Sequence, residues 1–257
     1  MKFEISNLDM IVIKTPDEIE KMAKAGKIVA EILENLKAFV KPGITTKEIE
    51  MFAEEKIISK GGTPAFKGYR GYPASICTSV NNQVIHGIPS RVRLNEGDVL
   101  SIDLGVYRDG FYGDGAVTMP VGEVNPLAKK LLKVTEEALY KGIDKATPRN
   151  RVSDISYAIE NYVEANGFSI VKAFVGHGIG MSLHEEPQVP NFGVSGQGPR
   201  LREGMTIAIE PMVNTGGHEV SILDDGWTAV TLDGGLSAHF EHTIAITDGD
   251  ARILTKV

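Results

Sequence analysis

The phrase Glu96-Gly97-Asp98-Val99-Leu100-Ser101-Ile102-Asp103 returns 107 residues later as Glu203-Gly204-Met205-Thr206-Ile207-Ala208-Ile209-Glu210. In both copies Glu-Gly makes a turn and four residues alternate as a half-buried strand does. A carboxylate then falls on the strand's small-side-chain face, behind Ser101 in one copy and Ala208 in the other. A chain that repeats such a unit is constrained to fold as two related halves. Acids brought to equivalent places would repel each other unless something positive lay between them.

The segments before each phrase keep nearly the same offset. Pro42 and Pro148, Glu48 and Asp154, Ile49 and Ile155, and Gly61 and Gly167 are each 106 residues apart. Thr15 is a cap for a helix running to about Phe39, with Ile19, Met22, Ala23, Gly26, Val29, Ala30, Leu33 and Leu36 on one stripe. A second helix is expected from Thr46 to about Ser59, stopped by Gly61-Gly62, followed by strands over roughly 74–120. The order then recurs: Pro126 opens a helix that Pro148 is expected to break, and another starts at Val152 and ends near Asn166-Gly167. Helix, helix, then strands, twice, predicts one pseudo-symmetric α+β domain over 13–257, with half-repeats at about 15–120 and 126–247 and an N-terminal extension at 1–12.

Between Asp103 and Asp114, Asp109-Gly110 is a hairpin signal. A two-residue loop there pairs Asp103 with Ala116 and Gly105 with Asp114, leaving the two acids as diagonal neighbours roughly 7 Å apart on one face. A loop one or two residues longer opposes them directly. Gly105, Gly113 and Gly115 are expected to strip bulk from around both acids and leave room for ions. Taken alone, the pair reads equally well as surface acids on a hairpin. The second half supplies partners. His177 stands among Gly176, Gly178 and Gly180 after an apolar strand, His184-Glu185-Glu186-Pro187 follows one short loop later, and Glu210 precedes Pro211. Residues 238–246 read as one strand with Glu241, Thr243 and Ala245 on one face.

Asp103, Asp114, Glu210, Glu241 and His177 form a hard, oxygen-rich set suited to Mn(II), Fe(II), Co(II) or Zn(II). Four carboxylates around one ion carry excess charge, whereas two divalent ions balance them and leave room for a bridging hydroxide. Two such ions about 3.5–4 Å apart deprotonate water and polarise a carbonyl, so hydrolysis of an amide or ester is the expected reaction. Cys77, the single cysteine, rules out a thiolate cage and an intrachain disulfide and suits a reducing interior. The formal charge of -7 argues against general phosphate-backbone binding, hence no DNA partner. With no secretory signal and no run of 18 apolar residues, a soluble cytoplasmic protein without a membrane partner is expected.

These motifs resemble the type I methionine aminopeptidases of metallopeptidase family M24, over nearly the whole chain from about Ile13 to Ile246. The resemblance implies the pseudo-two-fold "pita-bread" fold, a curved, mostly antiparallel sheet backed by helices. It implies removal of the initiator methionine from nascent chains, with a small second residue preferred. Asp103 would be a bidentate ligand of one ion, Asp114 and Glu241 would bridge two, and His177 and Glu210 would complete the second; Ni(II) joins the metals such a site accepts. A bridging hydroxide would attack the scissile carbonyl. His184 would stabilise the tetrahedral intermediate and Glu210 would relay a proton to the departing amine. His86, in Val84-Ile85-His86-Gly87-Ile88-Pro89, would bound the first-residue pocket. Its walls would be Tyr69, Tyr72, Cys77 and Trp227, with Phe66 and Leu183 at positions that vary between members.

Phe66 and Arg70 occupy a loop that differs between members, so the pocket entrance departs most from the pattern. No zinc-finger leader precedes the domain, and no long insertion separates His184 from Glu210, unlike the type II enzymes. Proline-directed aminopeptidases and dipeptidases of the same fold carry an extra N-terminal domain for which there is no space before residue 16. A non-catalytic peptide-binding module would lose ligands, and all five are present. A nascent-chain substrate implies transient ribosome contact, and with no coiled-coil seam a monomer is expected.

Overall fold

Thr15 and Thr45 each accept a hydrogen bond from the backbone N–H three residues on, and Glu18 and Glu48 return it. These capping boxes start α1 (Pro16–Phe39) and α2 (Thr46–Ser59) where the sequence places them. The structure, a computed structural model, describes residues 11–257. The expected extension at 1–12 therefore lies almost wholly outside the described residues; Ile11 is buried in the main core. Asn125 caps α3 (Pro126–Ile143), and Asp154 accepts from the Arg151 N–H at the start of α4 (Val152–Ala165). Pro148 does not end α3. The last turn tightens when Lys145 and Ala146 bond to Gly142 and Ile143, and the chain leaves the helix a turn earlier.

The strands are β1 (Thr63–Pro64), β2 (Cys77–Val80), β3 (Gln83–Ile85), β4 (Val99–Arg108), β5 (Phe111–Pro120), β6 (Ser169–Ile170), β7 (Gly176–Gly178), β8 (Glu185–Val189), β9 (Thr206–Ile209), β10 (Met212–Asn214), β11 (Val220–Ile222), β12 (Ala229–Thr231), β13 (Ser237–His239), β14 (Glu241–Ala245) and β15 (Arg252–Ile253). The principal sheet runs β1-β4-β5-β14-β9-β7-β8, with β2 on β4 and β15 on β14. All of its pairings are antiparallel. Asp109 and Gly110 both take positive φ, 51° and 90°, as a two-residue hairpin turn requires. The register follows: Asp103 pairs with Ala116 and Gly105 with Asp114.

Two expectations about the strands change. Val99–Ile102 and Thr206–Ile209 are buried throughout rather than half-buried. The run at 238–246 is two strands, β13 in a small sheet with β10 and β6, and β14 in the principal sheet. The neighbouring chain switches sheets beside it between β9 and β10, and the Phe240 N–H bonds to the Pro211 carbonyl at the crossing. Glu210 is thus the last residue before one switch and Glu241 the first after the other.

Side-chain parity corrects the glycine expectation. Asp114 faces the site, so Gly113 and Gly115 face away from it, onto α1. A Cβ at Gly113 would lie 2.7 Å from the Gly26 nitrogen, and one at Gly115 would lie 3.0 Å from Val29 Cγ1. These glycines let the helix backbone approach the sheet. Gly113→Ala is expected to destabilise the fold by about 1–3 kcal/mol, as overpacking does, measured as a lower chemical-denaturation midpoint with metal content unchanged. Only Gly105 lies on the site's side, where a Cβ would press into Phe66 and Ala65.

Candidate active site

Strand register assembles the site from two adjacent cross-strand rows. In one, Cys77 pairs with Asp103, Asp103 with Ala116 and Ala116 with Glu241. In the other, Gly105 pairs with Asp114, and Ala208 pairs with both Thr243 and His177. Thr243 joins the two halves of this second row: its hydroxyl accepts from the Asp114 N–H at 3.0 Å and donates to the Asp114 carbonyl at 2.8 Å. Residues opposite one another project from the same face. Small neighbours at 105, 116, 208 and 243 leave that face open around the acids.

The rows floor a cavity of about 140 Å³. Every residue singled out in the sequence lines it: Asp103, Asp114, His177, Glu210 and Glu241 on the floor, His86 and His184 beside them, and Phe66, Tyr69, Tyr72, Cys77, Leu183 and Trp227 on the walls. The volume is that of a single apolar side chain or a benzene-sized molecule. Tyr72 and Trp227 meet edge-on at 5.1 Å, and the Tyr72 hydroxyl donates to the carbonyls of Gly87 and Ile76. His86 has φ 60°, a left-handed conformation unusual for a side-chain-bearing residue, so its aim is set by its surroundings. A Cβ on the next residue, Gly87, would lie 2.2 Å from the Thr78 carbonyl oxygen, so the backbones meet closely behind it. The Tyr69 hydroxyl lies 2.9 Å from His184 Nδ1, and the His177 and His184 rings are 4.2 Å apart.

His177 is part of β7 itself, not a residue following an apolar strand. Its Nδ1 sits 2.8 Å from the Gly178 carbonyl, which can only accept, so Nδ1 carries the proton and the bare Nε2 faces the acids. That lone pair is 3.5 Å from Glu210 Oε1, an arrangement that calls for a cation between them. Asp114, His177 and Glu241 each offer a donor atom within 4.8 Å of the others. Asp103 Oδ1 and Glu241 Oε1 are buried without a hydrogen-bond partner among the described residues.

Electrostatics point the same way. Burial, reinforced by the neighbouring acids, drives the carboxyls of Asp103, Glu210 and Glu241 well above the usual range. Burial also pushes Asp114 up to about 7, against the Gly115 N–H bond, which lowers it. Among the described residues these acids have no Lys or Arg partner; only His177 and His239 come within ion-pair range, both of Glu210. Burial lowers the histidines instead, His177 and His239 to about 3, His86 and His184 to about 4, so neutral imidazoles cannot balance the acids. The donor set fits divalent cations.

The sequence assigns no role in the site to three contributors, although Arg70 stands in it at the pocket entrance and Thr243 on the face of Glu241. His239, buried with Nε2 unpartnered, lies 3.8 Å from Glu210 Oε2. It is two residues before Glu241, a spacing that could have flagged it. Thr243 is the clamp on Asp114 rather than merely a small neighbour. Arg70, held at φ 49° with its guanidinium 5.4 Å from the Tyr69 ring centre, is the cation at the cavity wall.

A fold of this topology around such a donor set is that of a metal-dependent hydrolase, and the family model for metallopeptidase family M24 matches residues 20–248. The chain belongs to that family. It is 56% identical to a methionine aminopeptidase from Clostridium perfringens, over 96% of this chain and all of the relative. It is 53% identical to methionine aminopeptidase 1 of Bacillus subtilis, again over 96% of this chain and all of that one. The crystal structure of a methionine aminopeptidase from Thermotoga maritima superposes with a TM-score of 0.95 at 49% identity, covering 96% of this chain and all of that one.

Proposed function

We propose that the protein is a metal-dependent aminopeptidase that hydrolyses the first peptide bond of chains beginning with methionine, preferring a small second residue. The observation that carries this reading is the set of four carboxylates, Asp114 and Glu241 buried and Asp103 and Glu210 nearly so, with no Lys or Arg partner among the described residues, beside one imidazole lone pair on the floor of a cavity of side-chain size with largely apolar walls. Asp103, Asp114, His177, Glu210 and Glu241 would hold the two divalent ions that balance that charge. Co(II), Mn(II), Fe(II), Zn(II) and Ni(II) all accept these ligands. When bound, such ions lower the pKa of water and polarise a carbonyl.

The chain's own groups do the rest. Phe66, Tyr69, Tyr72, Cys77, Leu183 and Trp227 enclose a thioether side chain and exclude water from it. His184, oriented through Tyr69, donates to the oxygen of the scissile carbonyl as charge develops there. Glu210 takes a proton from the attacking water and passes it to the departing amine. His86 borders the first-residue pocket opposite His184. The whole of 13–257 acts as one catalytic domain of two duplicated halves, as a monomer in the cytoplasm, meeting nascent chains in transient contact with ribosomes.

Metal-stripped protein should be inactive on Met-Ala-Ser and regain activity with Mn(II), Fe(II) or Co(II). Equal release from Ala-Pro substrates would favour a proline-directed enzyme. Metal binding without any release of methionine would favour a peptide-binding module.

A further inference from the structure

Lys14 and Glu185 form an ion pair outside the cavity, with side chains only 2% and 11% exposed. We propose that this pair is a positioning device that fixes the turn from Gly180 to Glu185, and with it His184, against the body of the protein. The inference rests on His184 being a substrate-side group as argued above.

Lys14 is anchored on its own side. It directly precedes the Thr15 cap of α1, and its N–H donates to the Gly204 carbonyl at 2.8 Å, in the Glu-Gly turn that leads into β9. Its Nζ donates to the Glu185 carboxylate and, at 3.3 Å, to the Val12 carbonyl. Glu185 reaches back into the turn, where Oε1 accepts from the Ser182 N–H at 3.0 Å. The lysine stem lies directly under the turn, since a Cβ at Gly180 would fall 2.4 Å from Lys14 Cε. The other ties act on single residues of the turn: Gly180 donates to the Ser182 carbonyl at 3.1 Å and accepts from the Tyr112 N–H at 2.9 Å, Leu183 is buried and the Tyr69 hydroxyl lies 2.9 Å from His184 Nδ1, while Met181 at the tip is 66% exposed. A short turn containing glycine has many conformations to lose, and two charged bonds from rigid elements remove most of them. Leu183 and His184 leave this turn into the cavity. A shift of about 1 Å at a group acting on the reacting carbonyl can cost 10²-fold in rate.

The test uses metal-loaded Lys14→Met, Glu185→Gln and Lys14→Arg, full length. Lys14→Met should lower kcat on Met-Ala-Ser by about 10- to 100-fold, with KM and bound metal unchanged, and Lys14→Arg should recover most of the loss. Independently of activity, the His184 ring resonances, identified by their absence in His184→Ala, should move in Lys14→Met while those of His242 stay in place. Glu185→Gln keeps an acceptor for Ser182 and carries the same test should Lys14→Met fail to fold. A kcat within twofold of wild type with unmoved His184 resonances would reduce the pair to a stability element and overturn the proposal. Loss of bound metal would overturn it as well. A wild-type protein that releases no methionine would refute the proposed function, while the resonances would still decide whether the pair positions His184.

Discussion

Glu241→Ala is expected to lower kcat/KM for Met-Ala-Ser by about 10³ or more, because a site that stabilises transition-state charge by several kcal/mol loses that term when an ion is lost. Glu241 is paired with Ala116 in the row that contains Asp103, is 3% exposed, and has an oxygen with no partner among the described residues. Removing one of the five donors leaves an ion undercoordinated, so bound metal, measured by elemental analysis, should fall with the rate. Glu241→Gln, which preserves volume but not charge, should behave like Ala. An active Glu241→Ala enzyme would contradict the bridging role. Because the carboxylate is costly to bury unpaired, the same substitution should raise the melting temperature of the metal-free protein while destroying turnover.

Metal-free protein should lose stability as pH rises from about 6.5 to 8.5, and divalent metal should flatten that dependence. The sign rests on two opposed sets of groups. Histidines lowered to about 3 or 4 in the native state are protonated only in the unfolded chain between there and about 6.5, so they make stability rise with pH up to that point. The four carboxyls are raised, one to about 7 and three well above their usual range, so the native state keeps protons that the unfolded chain has released. They stabilise the fold at low pH and withdraw that stability as pH climbs through their native values. The two sets cancel in part below about 6.5. Above it the unfolded chain gives up its remaining histidine protons, and by about pH 7.5 the histidines are neutral in both states and only the carboxyls act, each retained proton changing the folding equilibrium about tenfold per pH unit. Thermal melts across this range, with and without Mn(II), provide the check. A metal-free melting temperature that stays level or rises from pH 6.5 to 8.5 would refute it.

Features that depend on near neighbours in the chain were legible without coordinates. Thr15 and Thr45 satisfy helix-end amides three residues away, so their capping boxes stand where the sequence marks them. Asp109-Gly110 tolerates the left-handed backbone of a two-residue loop, and of the loop lengths the sequence allows it is this one whose register the structure adopts. Errors arose where a distant segment decided. In the sequence Gly113 and Gly115 adjoin the acid Asp114, a placement that suggests room for ions. They face α1, whose approach depends on packing between segments far apart in the sequence. The break at Phe240 was equally hidden, since an apolar residue between His239 and Glu241 continues a strand pattern well. It becomes a corner only because β10 and β9 belong to different sheets beside it.

The sequence by itself determined the helix starts, the position of the hairpin turn and the identity of the acids and histidines, because turn chemistry and capping are short-range and each residue carries its own chemistry. Tertiary structure alone decided that those acids share one buried face. It also decided that Thr243 clamps Asp114, that His239 approaches Glu210, and that Lys14 reaches Glu185 across 171 residues. Charge in a carboxylate is a property of the residue, whereas its desolvation, and so its demand for a cation, is a property of everything packed around it.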